Sequence, residues 1–217
     1  MTRAANPATE HELKQAIAAE RRDAAAVLEA LPPGQWDAAT LCEGWRVREV
    51  VAHQTMPFRY PIRRFALEMV KAGGRFNLMA DRTARRDAAS MSPAELTAAL
   101  RENADHPWTP PGGGLLGALC HDVIHGLDIT VALGVGRPVP ADRLALVLAQ
   151  LTGMRHNPFG TDLAGIALRA DDTDWIFGSG TPLSGSAQDL LLVYCGRKLP
   201  PDRLRGESAR LFTRVNP

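Results

Sequence analysis

The sequence predicts a mainly helical protein that ends in a small α+β domain. Apolar residues recur at helical spacing through most of the first 158 residues, whereas short alternating segments typical of strands occur after that point. Two of the helical segments also begin with side chains that cap helix N-termini. A chain of 217 residues has room for one medium domain with a small appendage. We therefore predict a helical domain over residues 1–158 and an α+β domain over residues 159–217.

The charge balance and the cysteines indicate which partners and which cellular compartment to expect. Lys and Arg number 25 against 24 Asp and Glu, a net charge of +1, so we expect neither nucleic acid nor a membrane surface as a partner. No apolar run reaches the roughly 18 residues of a membrane span, and residues 1–12 lack the apolar block of a signal peptide. The three cysteines are too widely spaced for a disulfide framework: Cys42, Cys120 and Cys195. We expect a cytoplasmic protein.

The first predicted helix covers residues 10–30. Thr9 and Glu12 form the pattern of a capping box, in which each side chain satisfies a free amide at the helix start. Residues 32–34, Pro-Pro-Gly, end the helix. Its apolar residues recur at helical spacing: Leu13, Ile17, Ala24, Val27, Leu28 and Leu31.

The second predicted helix begins near Arg46. We expect a kink or break at Pro57, because a proline cannot donate a hydrogen bond to the carbonyl group four residues back, which is that of His53. Helix is predicted to resume near Ile62 and to end at residues 73–74, a Gly-Gly pair.

The remaining elements follow from composition and capping patterns. Residues 75–91 are polar and rich in arginine, and we predict a connector there. Ser92, Pro93 and Glu95 mark a helix start, as cap, first-turn proline and capping-box partner. Further helices are predicted at residues 115–133, 141–151 and 186–195, and strands at residues 165–170 and 175–177.

Three histidines have the spacing of a metal site. His121 and His125 are four residues apart on a predicted helix, so both imidazoles lie on one face, one turn apart. His53, on another helix, is the third candidate. Three imidazoles leave a coordination position open, which is typical of a catalytic metal site. Asp128, three residues beyond His125, is placed to accept a hydrogen bond from the second ring nitrogen of that ligand.

Other interpretations of the same residues are open at this point. An HxxxH pair on a helix is also found as two surface histidines, with His53 then a core residue. Cys120 adjoins His121, but adjacent helical residues point about 100° apart, so a Cys/His nucleophile is disfavoured. Trp45 and Trp108 are interpreted as packing residues.

The residues around these histidines resemble a known family. Residues 40–53 read TLCEGWRVREVVAH, which is similar to the T-x-C-x-G-W-x-V-x-D/E-V-V-A-H segment of the mycothiol-dependent maleylpyruvate isomerase family, within the DinB-like superfamily. Residues 121–128, HDVIHGLD, resemble its second metal motif, E-x-x-x-H-x-x-D. Residues 165–197 are similar to the small C-terminal domain of many members, including the Asp-Leu-Leu-Leu helix and the Gly-Arg pair after it.

This resemblance implies an antiparallel four-helix bundle that holds a divalent metal near one end. By motif position the ligands are His53, His121 and His125, with zinc expected first and nickel or iron as alternatives. One departure matters, because His121 stands where the isomerases have Glu. Exchanging a carboxylate for an imidazole makes the metal one unit more positive and a stronger Lewis acid. Maleylpyruvate itself is therefore a weaker candidate for the substrate.

The resemblance also implies mycothiol as the thiol cofactor or co-substrate. A thiol bound to the metal as thiolate is able to add to a small electrophile, in isomerisation or in thiol transfer. The alternatives are a metal-dependent hydrolase of a small molecule and a non-catalytic metal or small-molecule binding protein. Among the basic residues 59–86, Arg82 with Asn77 is the predicted contact for an anionic group of the substrate. We expect a monomer or a homodimer.

Overall fold

Eight α-helices and one three-stranded sheet form residues 8–214, the part of the chain that the computed structural model describes. This confirms the predicted mainly helical fold with a small sheet in the C-terminal part. The helices are α1 (Glu10–Ala30), α2 (Val47–Arg59), α3 (Ile62–Lys71), α4 (Phe76–Ser90), α5 (Pro93–Glu102), α6 (Gly114–Leu133), α7 (Ala141–Thr152) and α8 (Ala187–Tyr194). The strands are β1 (Ile166–Ala170), β2 (Ile176–Gly178) and β3 (Thr181–Gly185).

The described chain divides into two compact units, each assembled from two stretches of sequence. The first consists of residues 8–33 and 51–122, and the second of residues 34–50 and 123–214. The division passes through α2 and α6, which are each one continuous helix. A domain boundary near residue 158 therefore stays a prediction.

In the first unit, the caps predicted from the sequence define two helix starts. Thr9 and Glu12 form the capping box of α1, and Ser92 and Glu95 form that of α5. In each box the hydroxyl accepts from the backbone of the glutamate, and the carboxylate accepts from the backbone of the cap. The two helices pack against each other. The starts of α1 and α5 are thus fixed by local hydrogen bonds as well as by packing.

The helix α2 continues through Pro57, so the break predicted at that residue is wrong. The chain leaves helix at Tyr60 and Pro61 instead, and α3 begins at Ile62. Proline removes a single hydrogen bond from the ladder. Near this point the Arg59 side chain supplies extra donors to the helix, to the carbonyl of Ala52 (2.9 Å) and to the hydroxyl of Thr55 (3.3 Å).

Residues 76–90 form a helix, α4, where the sequence predicted a connector, and that prediction is wrong. Its buried face consists of small or polar residues, so the large apolar side chains that reveal an amphipathic helix are nearly absent. The one exception is Met79, which packs in a small core with Met56, Tyr60 and Ala72. The buried residues of α4 are Met79, Ala80, Thr83, Ala84, Asp87 and Ala88.

In the second unit, the strands form a sheet of order β2-β1-β3. β1 pairs antiparallel with β2 and parallel with β3, and α8 packs on it. The sequence predicted β1, β2 and α8, but not β3. This strand holds Pro182 and ends at Gly185, both unfavourable within strands, and its place at a sheet edge is where a proline is tolerated.

The helix α6 is long and apolar. Within residues 8–214 it alone has the length and hydropathy of a span, and 67% of its apolar window is buried inside the protein. Core helices of globular proteins share these properties. Two of the three candidate histidines, His121 and His125, lie on this helix.

Candidate metal centre

His121 and His125 lie one turn apart on α6. Both are half-buried, with side-chain exposures of 16% and 14%. Because residues four apart on a helix are neighbours on one face, their relation is a property of α6 itself. The neighbouring Gly126 and Ala118 are small and buried, and Leu119, Val123 and Leu127 are fully buried in the apolar stripe. The two imidazoles thus flank the buried stripe.

His53 on α2 faces His121 within the first unit. Its Nε2 lies 3.2 Å from Nε2 of His121, and the two ring centroids are 5.1 Å apart. The next residue, Gln54, donates its side-chain amide to the carbonyl of Asp122 (3.4 Å), which ties α2 to α6 at this level. Two ligands of a tetrahedral zinc with Zn–N bonds of 2.0–2.1 Å are separated by roughly 3.3 Å. The observed separation suits two nitrogens that share one cation.

His53, His121 and His125 offer one group of donors that could hold a metal ion. That they bind one stays a prediction. One ring nitrogen from each of His53, His121 and His125 lies within 4.8 Å of the other two. Neutral imidazole is the donor that zinc, nickel and iron accept, so the donor set fits a divalent metal. Three such ligands leave a coordination position for an exogenous group.

His121 has a carboxylate partner that the sequence did not predict. Nδ1 of His121 lies 2.9 Å from Oδ1 of Asp122, which is buried at 2% exposure. A carboxylate accepts, so this contact favours the neutral imidazole with its proton on Nδ1 and its lone pair on Nε2, the atom that faces His53. The 100° rule for adjacent helical residues gave no reason to expect this contact.

His125 has the carboxylate partner that the sequence suggested. Its Nδ1 lies 3.1 Å from Oδ2 of the fully buried Asp128. Arg197 holds the same carboxylate through two hydrogen bonds, from Nε (2.8 Å) and Nη2 (2.9 Å). Burial acts to raise the pKa of Asp128, but the hydrogen bonds and charges of His125 and Arg197 outweigh it and hold the pKa below its usual value. Asp128 therefore stays an acceptor.

Cys42 forms a second group of metal-type donors with residues of this half of the site. Its Sγ, a ring nitrogen of His125 and a carboxylate oxygen of Asp128 lie within 4.8 Å of one another. The guanidinium of Arg197 already holds both oxygens of Asp128. A metal ion at that carboxylate would face a fixed positive charge, so the three histidines are the better site.

Two tryptophans lie beside the histidines. The ring of Trp108 is edge-on to that of His121, with centroids 5.2 Å apart, and the ring of Trp45 is 6.4 Å from that of His125. Both tryptophans are half-buried. Both rings pack against a candidate ligand, which agrees with the packing role predicted for them.

Other candidate residues lie in different environments. Arg82 and Asn77 are exposed on α4, and the guanidinium of Arg82 donates to the carbonyl of Lys71 (3.4 Å). Their contact with substrate stays a prediction. Burial raises the pKa of the Cys120 thiol to about 12, which makes it a poor nucleophile.

Arg21 and Arg197 are two further charged residues near the site that the sequence analysis missed, besides Asp122. A signal for Arg21 was present, because it lies four residues after Ile17 and seven before Leu28, on the apolar stripe of α1. A charged residue on a buried stripe indicates a buried ion pair. For Arg197 the sequence gave a motif but no partner, since Asp128 is 69 residues away in the chain.

Comparisons with known proteins agree with this fold. Residues 17–107 match the family model described as the mycothiol maleylpyruvate isomerase N-terminal domain. A crystal structure of a histidine-to-alanine mutant of the mycothiol-dependent maleylpyruvate isomerase is 14% identical with a TM-score of 0.56, and another structure of that isomerase is 12% identical with a TM-score of 0.53. Each comparison covers 96% of this chain and 95% of the other. No curated protein matches the chain. These matches agree with the resemblance of residues 40–53 to this family: residues 17–107 are similar to its N-terminal domain, and the chain has the fold of the isomerase structures.

Proposed function

We propose that this protein is a metal-dependent enzyme that uses a low-molecular-weight thiol, mycothiol, as cofactor or co-substrate. It isomerises a small electrophile or transfers the thiol to it. The observation that carries the proposal is the convergence of His53, His121 and His125, whose donor nitrogens lie within 4.8 Å of one another. The match of residues 17–107 to the isomerase family's N-terminal domain supports the thiol.

Each group of the site has a part in this proposal. The three histidines would hold a divalent metal, with zinc first and nickel or iron as alternatives. A metal held there would supply Lewis acidity, which would lower the pKa of a thiol bound to it. Asp122 and Asp128 orient the imidazoles of His121 and His125. The all-histidine donor set favours an electrophile other than maleylpyruvate.

Metal analysis of the purified protein is the first experiment. We expect one divalent metal per chain in the wild type and its loss in the His53→Ala and His125→Ala variants. His156→Ala is the matched control, because His156 is exposed and remote in sequence from the candidate ligands. A wild-type protein without stoichiometric metal, or a His125→Ala variant that retains it, would overturn the proposal.

A second candidate function is hydrolysis of a small molecule. The observation that favours it is the donor set, because three neutral imidazoles are also the ligands of zinc sites that activate water. Incubation with mycothiol and a panel of electrophiles separates the two. Product that requires both thiol and metal supports thiol chemistry, whereas turnover indifferent to the thiol supports hydrolysis.

The proposal also covers the compartment, the oligomeric state and the partners of the protein. We propose a cytoplasmic protein that acts as a monomer or homodimer on small molecules, with no nucleic-acid or membrane partner. The net charge of +1 supports the last point, because it provides little electrostatic attraction to a nucleic acid or to an anionic membrane surface.

A further inference from the structure

Arg21 is a cationic residue whose side chain has no exposure to solvent. It lies on α1, within the first unit, and its guanidinium carbon is 4.8 Å from the ring centroid of Phe58. A buried charge is costly unless it is paired and hydrogen-bonded. The groups that pair with Arg21 are therefore those whose positions its guanidinium fixes.

One contact leads to the candidate metal ligand. Nε of Arg21 donates to Oδ2 of Asp122 at 2.7 Å, and this ion pair is buried on both sides, with exposures of 0% and 2%. The other oxygen of Asp122 is 2.9 Å from Nδ1 of His121. Nε2 of His121 is in turn the atom that lies 3.2 Å from Nε2 of His53. A continuous chain of hydrogen bonds thus joins Arg21 to the centre.

Another set of contacts leads to the loop after α5. Nη1 of Arg21 approaches three carbonyl groups, those of Asn103 (3.4 Å), Ala104 (3.2 Å) and His106 (2.8 Å). The backbone of Trp108 donates to the ring of His106 (3.1 Å), and the Trp108 ring is edge-on to His121. The same guanidinium therefore fixes both Asp122 and the loop that carries Trp108.

We propose that Arg21 is a positioning residue that, through Asp122, fixes His121 in the tautomer with its proton on Nδ1 and its lone pair on Nε2. This inference rests on the proposed metal site. The need for it arises at His121, where the resemblance expects a glutamate. A carboxylate ligand has no tautomer to set, whereas an imidazole presents a lone pair or a proton on Nε2 according to the hydrogen bond at Nδ1.

The Arg21–Asp122 pair also suits the charge of the site. The ion pair is neutral as a whole, so it orients His121 without adding a net charge beside the metal. The geometry resembles that at His125, where Asp128 is held by Arg197. Each histidine of α6 thus has a carboxylate that is itself held by an arginine.

The test uses the full chain and two variants, Asp122→Asn and Arg21→Lys. We expect Asp122→Asn to bind zinc more weakly by roughly 10- to 100-fold in competition with a chelator, the usual loss when a ligand's hydrogen-bond partner is removed. Arg21→Lys should lose up to the same factor, because an ammonium lacks the fixed fork that holds Asp122. Arg22→Lys is the matched control, because Arg22 is adjacent on α1 and pairs with Asp105 of the same loop, but is exposed. The control should bind zinc as the wild type does.

A second readout does not depend on metal, and its result for the wild type does not depend on a variant that folds. Side-chain ¹⁵N chemical shifts of the metal-free wild type report which nitrogen of His121 carries the proton. We expect the proton on Nδ1, and in Asp122→Asn a mixture of tautomers. A proton on Nε2 in the wild type, or wild-type zinc affinity in a folded Asp122→Asn variant, would overturn the inference. If the wild type binds no zinc, the proposed function fails, while the tautomer of His121 in a folded Arg21→Lys variant still tests the role of Arg21: the wild-type tautomer alone in that variant would overturn it.

Discussion

At the scale of single residues, the orientation of the candidate ligands depends on charged groups that are not among the proposed metal ligands. Asp128 is fully buried and shared between His125 and Arg197. Because burial of an unpaired charge is costly, each member of this trio keeps the others in place. The orientation of His125 is therefore a property of three residues.

Asp128→Asn is predicted to weaken zinc binding by roughly 10- to 100-fold, because the amide no longer fixes the proton on Nδ1 of His125. It also leaves Arg197 without its counter-charge, so the free energy of unfolding should fall. Chelator competition and urea unfolding measure the two effects. Asp142→Asn, at an exposed position of α7, is the control. Unchanged zinc affinity in a folded Asp128→Asn variant would contradict the role given to Asp128.

The cysteines should differ in reactivity because they differ in burial. Cys42 is half-buried, whereas Cys120 and Cys195 are 6% and 2% exposed. We expect an alkylating reagent to modify Cys42 first in the native protein, as read by mass spectrometry of peptides. In the Cys42→Ser variant, native labelling should nearly disappear. Equal rates at all three cysteines would show that the core around α6 and α8 opens readily.

At the scale of elements, local hydrogen bonds set several helix starts. Ser92→Ala is predicted to cost about 1 kcal/mol of stability by removing the cap of α5. Ser92→Asp, which restores an acceptor, is the matched control. Urea unfolding of the three proteins measures the difference. A loss that is equal for Ala and Asp would assign the effect to packing instead.

The same capping box makes a prediction about pH. Hydrogen bonds from the Ser92 backbone and hydroxyl lower the pKa of Glu95 from its reference value of 4.5. A lowered carboxyl pKa contributes stability above the unfolded-state pKa, and this contribution is lost as the pH falls through the folded-state pKa. The cost of Ser92→Ala should therefore shrink between about pH 7 and about pH 3. A cost that grows at acid pH would contradict this assignment.

An element is predicted well from the sequence when the residues that define it are local, and poorly when they are distant in the chain. α1 and α5 have local capping boxes, and both were predicted from Thr9 and Ser92. α4 was missed because its buried face is built mainly of alanine and threonine, which a pattern of large apolar residues does not reveal. β3 was missed because Pro182 and Gly185 are unfavourable in strands and mask its strand pattern. For the site, local motifs predicted the histidines, whereas Arg21 and Asp122 act through a contact 101 residues apart in the chain.

At the scale of the whole molecule, the fold is retained at an identity that says little about chemistry. The structure of the isomerase mutant covers 96% of this chain at 14% identity. A shared fold does not fix a function, so the function must be argued from the site. His121 stands where the motif resemblance expects a glutamate, so the proposed chemistry is expected to differ from that of the isomerase at this residue.

Binding of zinc to the folded chain should stabilise the whole protein. At a free zinc concentration of about 100 times Kd, the gain is about 2.7 kcal/mol by mass action. Thermal unfolding with and without zinc measures this gain, and His125→Ala should show none of it. A zinc-induced shift that persists in His125→Ala would place the ion elsewhere.

X-ray absorption at the zinc edge of the reconstituted protein is the most direct measurement of the metal's donors. We predict a first shell of nitrogen and oxygen scatterers at about 2.0–2.1 Å that includes three imidazoles, with no sulfur in the absence of added thiol. Added mycothiol should then contribute one sulfur at about 2.3 Å. A sulfur scatterer before thiol is added would place Cys42 on the metal, and fewer than three imidazoles would contradict the centre formed by His53, His121 and His125.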